Sequence, residues 1–237
     1  MSICTDLHDR AQNDPNFTSS VITGDECWVY WYDPETKQMS FQWSTLSSPR
    51  RKKARQVKSN MKTMFIAFFD IDGLVHHEFV PTRQTVNKEF YKTVLQRPRD
   101  AVRRHRPENW RSGNWIVHHD NASAHRAVTT NEFLTKRNIP SLPQPPYSPD
   151  LAPCDFFLFS QLNKTMKFRR FDYVENIQAN AARQLRAITK SDYQRCLRQW
   201  QERCNKCIQA QEYYFEGDKT NKPVVLLIHS QKNQSWN

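Results

Sequence analysis

Glycine is scarce. The 237 residues hold only four, so no Gly-rich loop is available to cradle a nucleotide phosphate. Apolar runs are short as well: none approaches the ~18 residues of a membrane-spanning helix, and the N-terminus lacks the charged-then-apolar pattern of a secretory leader. Neither secretion nor membrane spanning is expected. Six cysteines are present (Cys4, Cys27, Cys154, Cys196, Cys204 and Cys207), but without a secretory context they are expected to be reduced thiols. Cys204-x-x-Cys207 has metal-ligand spacing, yet no second Cys or His pair accompanies it. With Cys196 it falls along one helical face, which favours buried helix cysteines over zinc.

Basic residues are abundant. Lys and Arg number 35 against 24 Asp and Glu, a formal charge of +11. Clustered cations gain free energy by releasing counterions from a phosphate backbone, so a polyanionic partner is expected. Apolar residues at 38%, with 12% aromatics, are enough for a packed core and argue against disorder. The length suits one domain with tails. Residues 1–20 read as a helix and linker, 21–217 as the domain, and 218–237 as a flexible tail.

The elements follow from periodicity and punctuation. Residues 21–32 are rich in β-branched and aromatic side chains and stop at Asp33-Pro34, so they read as a strand. The pair Asp25-Glu26 inside it is anomalous. On a pleat one of the two should face inward and the other outward, and the inward one is either an ion-paired acid or a metal ligand. Residues 50–58 form a dense cationic run without apolar periodicity, open to three readings: a solvated loop, a nuclear import signal or a phosphate contact. Residues 62–70 and 74–80 flank a turn ending in Asp72-Gly73 and read as a hairpin, which accounts for Asp70 and Asp72 without catalysis.

A helix over 85–95, which Thr85 can cap, leads through a very basic stretch, 97–111, to the apolar run Trp115-Ile116-Val117. That run stops on His118-His119-Asp120-Asn121, putting Asp120 at the C-terminal edge of a sheet, where ligands of open α/β sheets sit. A helix over 124–136, a short strand over 139–142 and a Pro-rich loop carry the chain to Asp155, which heads a helix over 155–168. Helices over 174–188 and 191–212 follow, the latter capped by Ser191. A β-meander followed by alternating elements predicts an α/β fold with a mixed five-stranded sheet flanked by helices.

In that order the first and fourth strands can lie side by side and bring Asp25 and Asp120 within reach of one ion. Hard divalent cations take oxygen ligands, and two Mg²⁺ or Mn²⁺ ions about 4 Å apart clamp the attacking and leaving oxygens of a phosphodiester displacement. Three acids so placed on a basic chain point to a phosphoryl-transfer nuclease.

The blocks Val-Ile-Thr-Gly-Asp25-Glu-Cys-Trp, His-His-Asp120-Asn-Ala and Tyr147-Ser-Pro-Asp-Leu-Ala-Pro-Cys-Asp155-Phe-Phe-Leu-Phe resemble the three signature blocks of mariner-type DNA transposases. Thirty-four residues separate Asp120 from Asp155, as between that family's second and third acids, and the resemblance spans about residues 3–217. It implies an RNase H-like core in which Asp25, Asp120 and Asp155 are the catalytic, metal-binding acids for two Mg²⁺ or Mn²⁺ ions. It further implies DNA strand hydrolysis by activated water, followed by attack of a 3'-hydroxyl on target DNA. Asp150 is then a loop-shaping residue.

DNA contacts are expected from Arg50, Arg51, Lys52, Lys53, Arg55 and Lys58, and from His119, Asn121, His125 and Arg126 beside the second acid. A nuclear location and a homodimer pairing two DNA ends are expected at family level, with no membrane and no small-molecule cofactor. The chain departs from the family pattern at Ser123, Arg126, Gln144 and Ser160, none of them a metal ligand. It also starts after the paired helix-turn-helix modules that read transposon ends. A second reading follows from that start: a domesticated or decayed remnant that binds DNA without cleaving it.

Overall fold

A computed structural model describes residues 3–30, 62–166, 171 and 173–210. The cationic run 50–58 and the tail beyond 210 lie outside the described residues. Five strands form one mixed sheet in the order β3-β2-β1-β4-β5. The central strand β1 (Val21–Tyr30) pairs antiparallel with β2 (Lys62–Asp70), which pairs antiparallel with β3 (Gly73–Phe79). On its other side β1 runs parallel to β4 (Ile116–His118), which pairs parallel with β5 (Ser141–Leu142). The anticipated mixed five-stranded sheet is therefore observed, with the first and fourth strands adjacent.

Helices cover both faces, and this overturns one expectation. Asp25 and Glu26 do not divide between core and solvent; they are only 4% and 7% exposed. Cys27, Val29, Phe65 and Phe69 face a layer built from the turn Cys154–Phe159, α6 (Ser160–Met166) and α7 (Val174–Ala187). Ile22, Ile66 and Phe68 face α3 (Lys88–His105) and α5 (Val128–Thr135). Alternation along β1 still holds: Asp25 points to the first layer and Glu26 to the second, and each layer buries the acid given to it. Gly24 pairs with Phe68 across the β1–β2 ladder, and the Phe68 ring lies where a Cβ on Gly24 would be. A glycine is thus required by close approach.

A third cluster closes one end. α1 (Ile3–Asn13) and α2 (Phe17–Ser20) put Cys4, Leu7 and Phe17 against Leu197, Trp200 and Cys204 of α8 (Lys190–Gln209). The N-terminal segment is docked on the domain. Cys196 and Cys204 are buried and Cys207 half-buried along α8, in keeping with the helix-cysteine reading.

Several boundaries differ from the sequence expectation. The basic stretch 97–111 is helical, occupied by the rest of α3 and by α4 (Pro107–Ser112). Pro98 is tolerated inside α3 because it lies buried on the face that carries Val94, Leu95, Ala101 and Val102, so packing outweighs the lost amide bond. Asn87, not Thr85, caps α3, its Oδ1 accepting the Phe90 N–H at 2.9 Å. Thr189, not Ser191, caps α8 in a reciprocal capping box with Asp192, because Asp192 stands three residues after Thr189. Asp70 and Asp72 belong to the hairpin turn as expected: Asp70 Oδ1 accepts the Asp72 N–H at 2.8 Å. Asp70 also receives Arg106 at 2.7 and 3.0 Å.

Candidate active site

The site begins with strand register. Thr23 on β1 stands opposite His118 on β4, and Thr23 Oγ1 lies 3.1 Å from His118 Nδ1. Two residues further along each chain come Asp25 and Asp120. Asp25 is still within β1, whereas Asp120 lies past the end of the β1–β4 pairing. β4 is only three residues long, and beyond it the chain turns, with Asp120 Oδ1 accepting the Ala122 N–H at 2.9 Å.

Asp155 reaches the same region by another route. Residues Cys154–Phe159 form a π-helical turn rather than the first turn of a regular α-helix, and it continues directly into α6. Wide turns of this kind concentrate at functional sites. This one buries Cys154, Asp155, Phe157, Leu158 and Phe159 together. Cys154 Sγ sits 3.8 Å from Thr23 Oγ1. Burial pushes the Cys154 thiol well up, and the charges of Asp25 and Asp155 push it further against the hydrogen bond from Thr23. Both acids thus act on one thiol. On the other face, burial raises the Tyr91 hydroxyl, with the charges of Glu26, Asp120 and Asp25 adding to the effect.

The histidines are placed differently from the sequence expectation. His119 and His125 were expected on DNA, but they are 6% and 0% exposed, and their ring nitrogens face protein groups. His125 Nε2 is 3.0 Å from Glu26 Oε1, and its Nδ1 is 2.6 Å from Asp120 Oδ1. Burial alone would lower its pKa; the Glu26 charge, hydrogen bonds with Asp120 and Glu26, and the Asp120 charge outweigh that and push it up to about 10. His125 is accordingly a cation between two carboxylates. His119 Nδ1 lies 2.9 Å from the Tyr91 hydroxyl and its Nε2 3.1 Å from Ser141 Oγ. Burial, then the neighbouring His125 and His118, lower it to about 3. His118 is lowered to about 4 by burial, against the Asp120 charge. These two are neutral.

Of the remaining expected DNA contacts, Asn121 and Arg126 line a cleft of about 490 Å³ together with Glu26, Asp120, Gln144 and Tyr147. Asn121 Nδ2 donates to the Gln144 carbonyl at 2.7 Å, which ties the strand end to the Pro-rich loop. Tyr147 is 82% exposed and holds a left-handed φ of 53°. Asp150 shapes that loop: the Arg203 guanidinium of α8 donates to its carbonyl at 3.2 Å and lies 3.9 Å from its carboxylate. Arg50, Arg51, Lys52, Lys53, Arg55 and Lys58 lie outside the described residues. Glu26 is the participant that sequence reasoning did not assign, although its place inside a buried strand was the available signal.

The chemistry of the donor set fits a hard divalent cation. Asp25 on β1, Asp120 in the turn after β4 and Asp155 in the π-helical turn offer carboxylate oxygens, the ligand type that Mg²⁺ and Mn²⁺ prefer. Among the described residues no three Asp, Glu, His or Cys side chains are grouped closely enough to hold an ion by themselves. A catalytic set shares its coordination with substrate oxygens and water.

Residues 33–112 match the family model described as transposase (partial DDE domain). The mariner Mos1 transposase of Drosophila mauritiana is 30% identical over 202 residues, 85% of this chain and 58% of that protein. The human histone-lysine N-methyltransferase SETMAR is 26% identical over 208 residues, 87% of this chain and 30% of that one. The chain therefore spans less than two thirds of the length of either relative. The crystal structure of the Mos1 catalytic domain superposes with a TM-score of 0.75 at 28% identity, over 90% of this chain and 92% of that one. The Mos1 paired-end complex with Mn gives 0.82 at 30% identity, over 90% and 62%. The fold is the RNase H-like one anticipated from the motif blocks.

Proposed function

The chain is a mariner-type transposase catalytic domain, and from that premise we propose that it cleaves DNA strands and joins the resulting 3' ends to target DNA with the help of divalent metal. The observation that supports this reading is the parallel β1–β4 register, in which Thr23 stands opposite His118 and Asp25 and Asp120 each follow two residues later.

Asp25, Asp120 and Asp155 would hold two ions, which when bound supply Lewis acidity to the scissile phosphate and lower the pKa of a coordinated water. The chain's own work is to place the acids and admit the strand. β1 carries Asp25, the turn after β4 carries Asp120, and the π-helical turn carries Asp155. The cleft beside Asp120 admits a phosphodiester, with Arg126 on its wall. Hydrolysis by water would leave a 3'-hydroxyl and a 5'-phosphate; the 3'-hydroxyl would then attack a target phosphodiester, and the displaced 3' oxygen would depart. Homologous Mos1 complexes determined with Mn and with Mg, and their description as paired-end complexes, support divalent metal, DNA and a dimer as partners. The cationic run at 50–58 supports nuclear import and phosphate contact as parts of the same proposal.

A metal-titrated nicking assay on supercoiled plasmid tests the reading. Mn²⁺- or Mg²⁺-dependent nicking that disappears in Asp120→Ala is expected. Nicking by that variant at the wild-type rate would overturn it. A second reading has its own support in the similarity to SETMAR, a protein named for a different activity: a remnant that binds DNA without cleaving it. Salt-sensitive DNA binding with no product in either metal would decide for that one.

A further inference from the structure

His125 is fully buried, and its ring is immobilised from every side. One edge meets Glu26 Oε1 at 3.0 Å and the other meets Asp120 Oδ1 at 2.6 Å. One face packs on the Tyr91 ring, with centroids 3.9 Å apart and planes at 31°. His119 stacks parallel to it at 5.0 Å. Those neighbours are held in turn, because the Tyr91 hydroxyl is 2.9 Å from His119 Nδ1 and His119 Nε2 is 3.1 Å from Ser141 Oγ. The backbone of the turn adds two more constraints: the His125 N–H donates to the Ala122 carbonyl at 2.9 Å, and the Ala122 N–H donates to Asp120 Oδ1 at 2.9 Å.

We infer that His125 is a positioning residue for Asp120, and that Glu26 is the anchor that fixes His125 in that role. Asp120 follows a three-residue strand, where the ladder no longer holds the chain, so its carboxylate needs a second restraint. Glu26 comes from β1, the strand that also carries Asp25. The Glu26–His125–Asp120 chain therefore references the acid on the loop to the strand that bears the other acid, across 99 residues of sequence. Outer partners of this kind orient metal-binding carboxylates and set their affinity. The inference rests on the proposal that Asp120 binds metal.

Direct Mn²⁺ binding, followed by the electron paramagnetic resonance signal of free Mn²⁺, tests it on the whole chain, beside thermal unfolding and a DNA gel shift. His125→Ala and Glu26→Ala are expected to raise the half-saturating Mn²⁺ concentration roughly 10- to 100-fold while the gel shift is retained. Glu26→Gln, which keeps an acceptor oxygen at the same place, should recover most of the wild-type affinity. Because Glu26 acts through His125, the double alanine variant should bind Mn²⁺ little worse than His125→Ala alone. A folded Glu26→Ala or His125→Ala protein with wild-type Mn²⁺ binding overturns the inference and leaves the catalytic reading standing. Wild-type protein that binds no Mn²⁺ overturns both.

Discussion

Thr23 on β1 and His118 on β4 face each other in parallel register, 3.1 Å apart through Oγ1 and Nδ1, and every acid of the site is placed relative to that pair. Asp25 follows it by two residues on β1 and Asp120 by two residues in the turn after β4, and Asp155 shares the surroundings of Cys154 with Asp25. Replacing Asp25, Asp120 or Asp155 singly with Asn is expected to reduce metal-dependent nicking by roughly 10²-fold or more, since each removes an anionic oxygen ligand from the proposed metal site. Circular dichroism should show an unchanged fold. Residual nicking above a tenth of wild type in all three would contradict the assignment.

Gly24 lies under the Phe68 ring, and a methyl group there has no space. Gly24→Ala is expected to cost about 1–3 kcal/mol through overpacking, read as a lower urea midpoint with an unchanged slope. Phe68→Leu in the same chain should return part of that loss, because it removes the atoms that clash. If the double variant is less stable than the sum of the two single ones, the steric account fails.

The Arg106 fork grips Asp70, whose side chain is 1% exposed, at 2.7 and 3.0 Å. The hydrogen bond to Asp70 is the main reason that the Arg106 pKa is raised, against the opposing effect of burial. Arg106→Ala leaves a buried carboxylate with the Asp72 amide but without its cation. It is expected to destabilise the fold by about 3 kcal/mol, the lower end of the range for a broken buried pair. Asp70→Asn in the Arg106→Ala background should recover part of the loss, since it neutralises the stranded charge. Equal stability of the Arg106→Ala protein and the wild type in denaturant titrations would refute this.

Thr189 and Asp192 close the start of α8 by bonding to each other's backbone amides at 3.3 and 3.1 Å. The Thr189 hydroxyl and amide hold Asp192 below the usual carboxylate range. The sign follows: a depressed carboxylate contributes stability that is full above its unfolded value of about 3.9 and is lost as pH falls through the folded one. Thr189→Ala should cost about 1 kcal/mol at neutral pH, and the difference from wild type should shrink below pH 4. A difference that stays constant from pH 7 to pH 3 would rule out the charged cap.

Much of the fold was legible in residue patterns. The strand over Val21–Tyr30, the hairpin around Asp72-Gly73 and α7 stand where periodicity and turn residues place them, because each depends on neighbours close in the chain. The errors fall where distant packing decides. The face of α3 is buried deeply enough to carry Pro98 through a helix. His119 and His125, beside an acid in a polar block, read as DNA contacts, yet the packing of α3 against the sheet encloses both rings.

The sequence by itself determined which acids this protein has for the work and in what order: Asp25 at the head strand, Asp120 at a strand end, Asp155 after a Pro-rich loop. Those are properties of residue identity and spacing. Only the tertiary structure decided where each acid points and what holds it. A sheet covered on both faces buries Asp25 and Glu26 in opposite layers, so two adjacent residues take separate roles. The partner of Glu26 is a histidine 99 residues away, and that distance is bridged by side-chain packing between α3, β1 and the turn after β4, which no local pattern encodes.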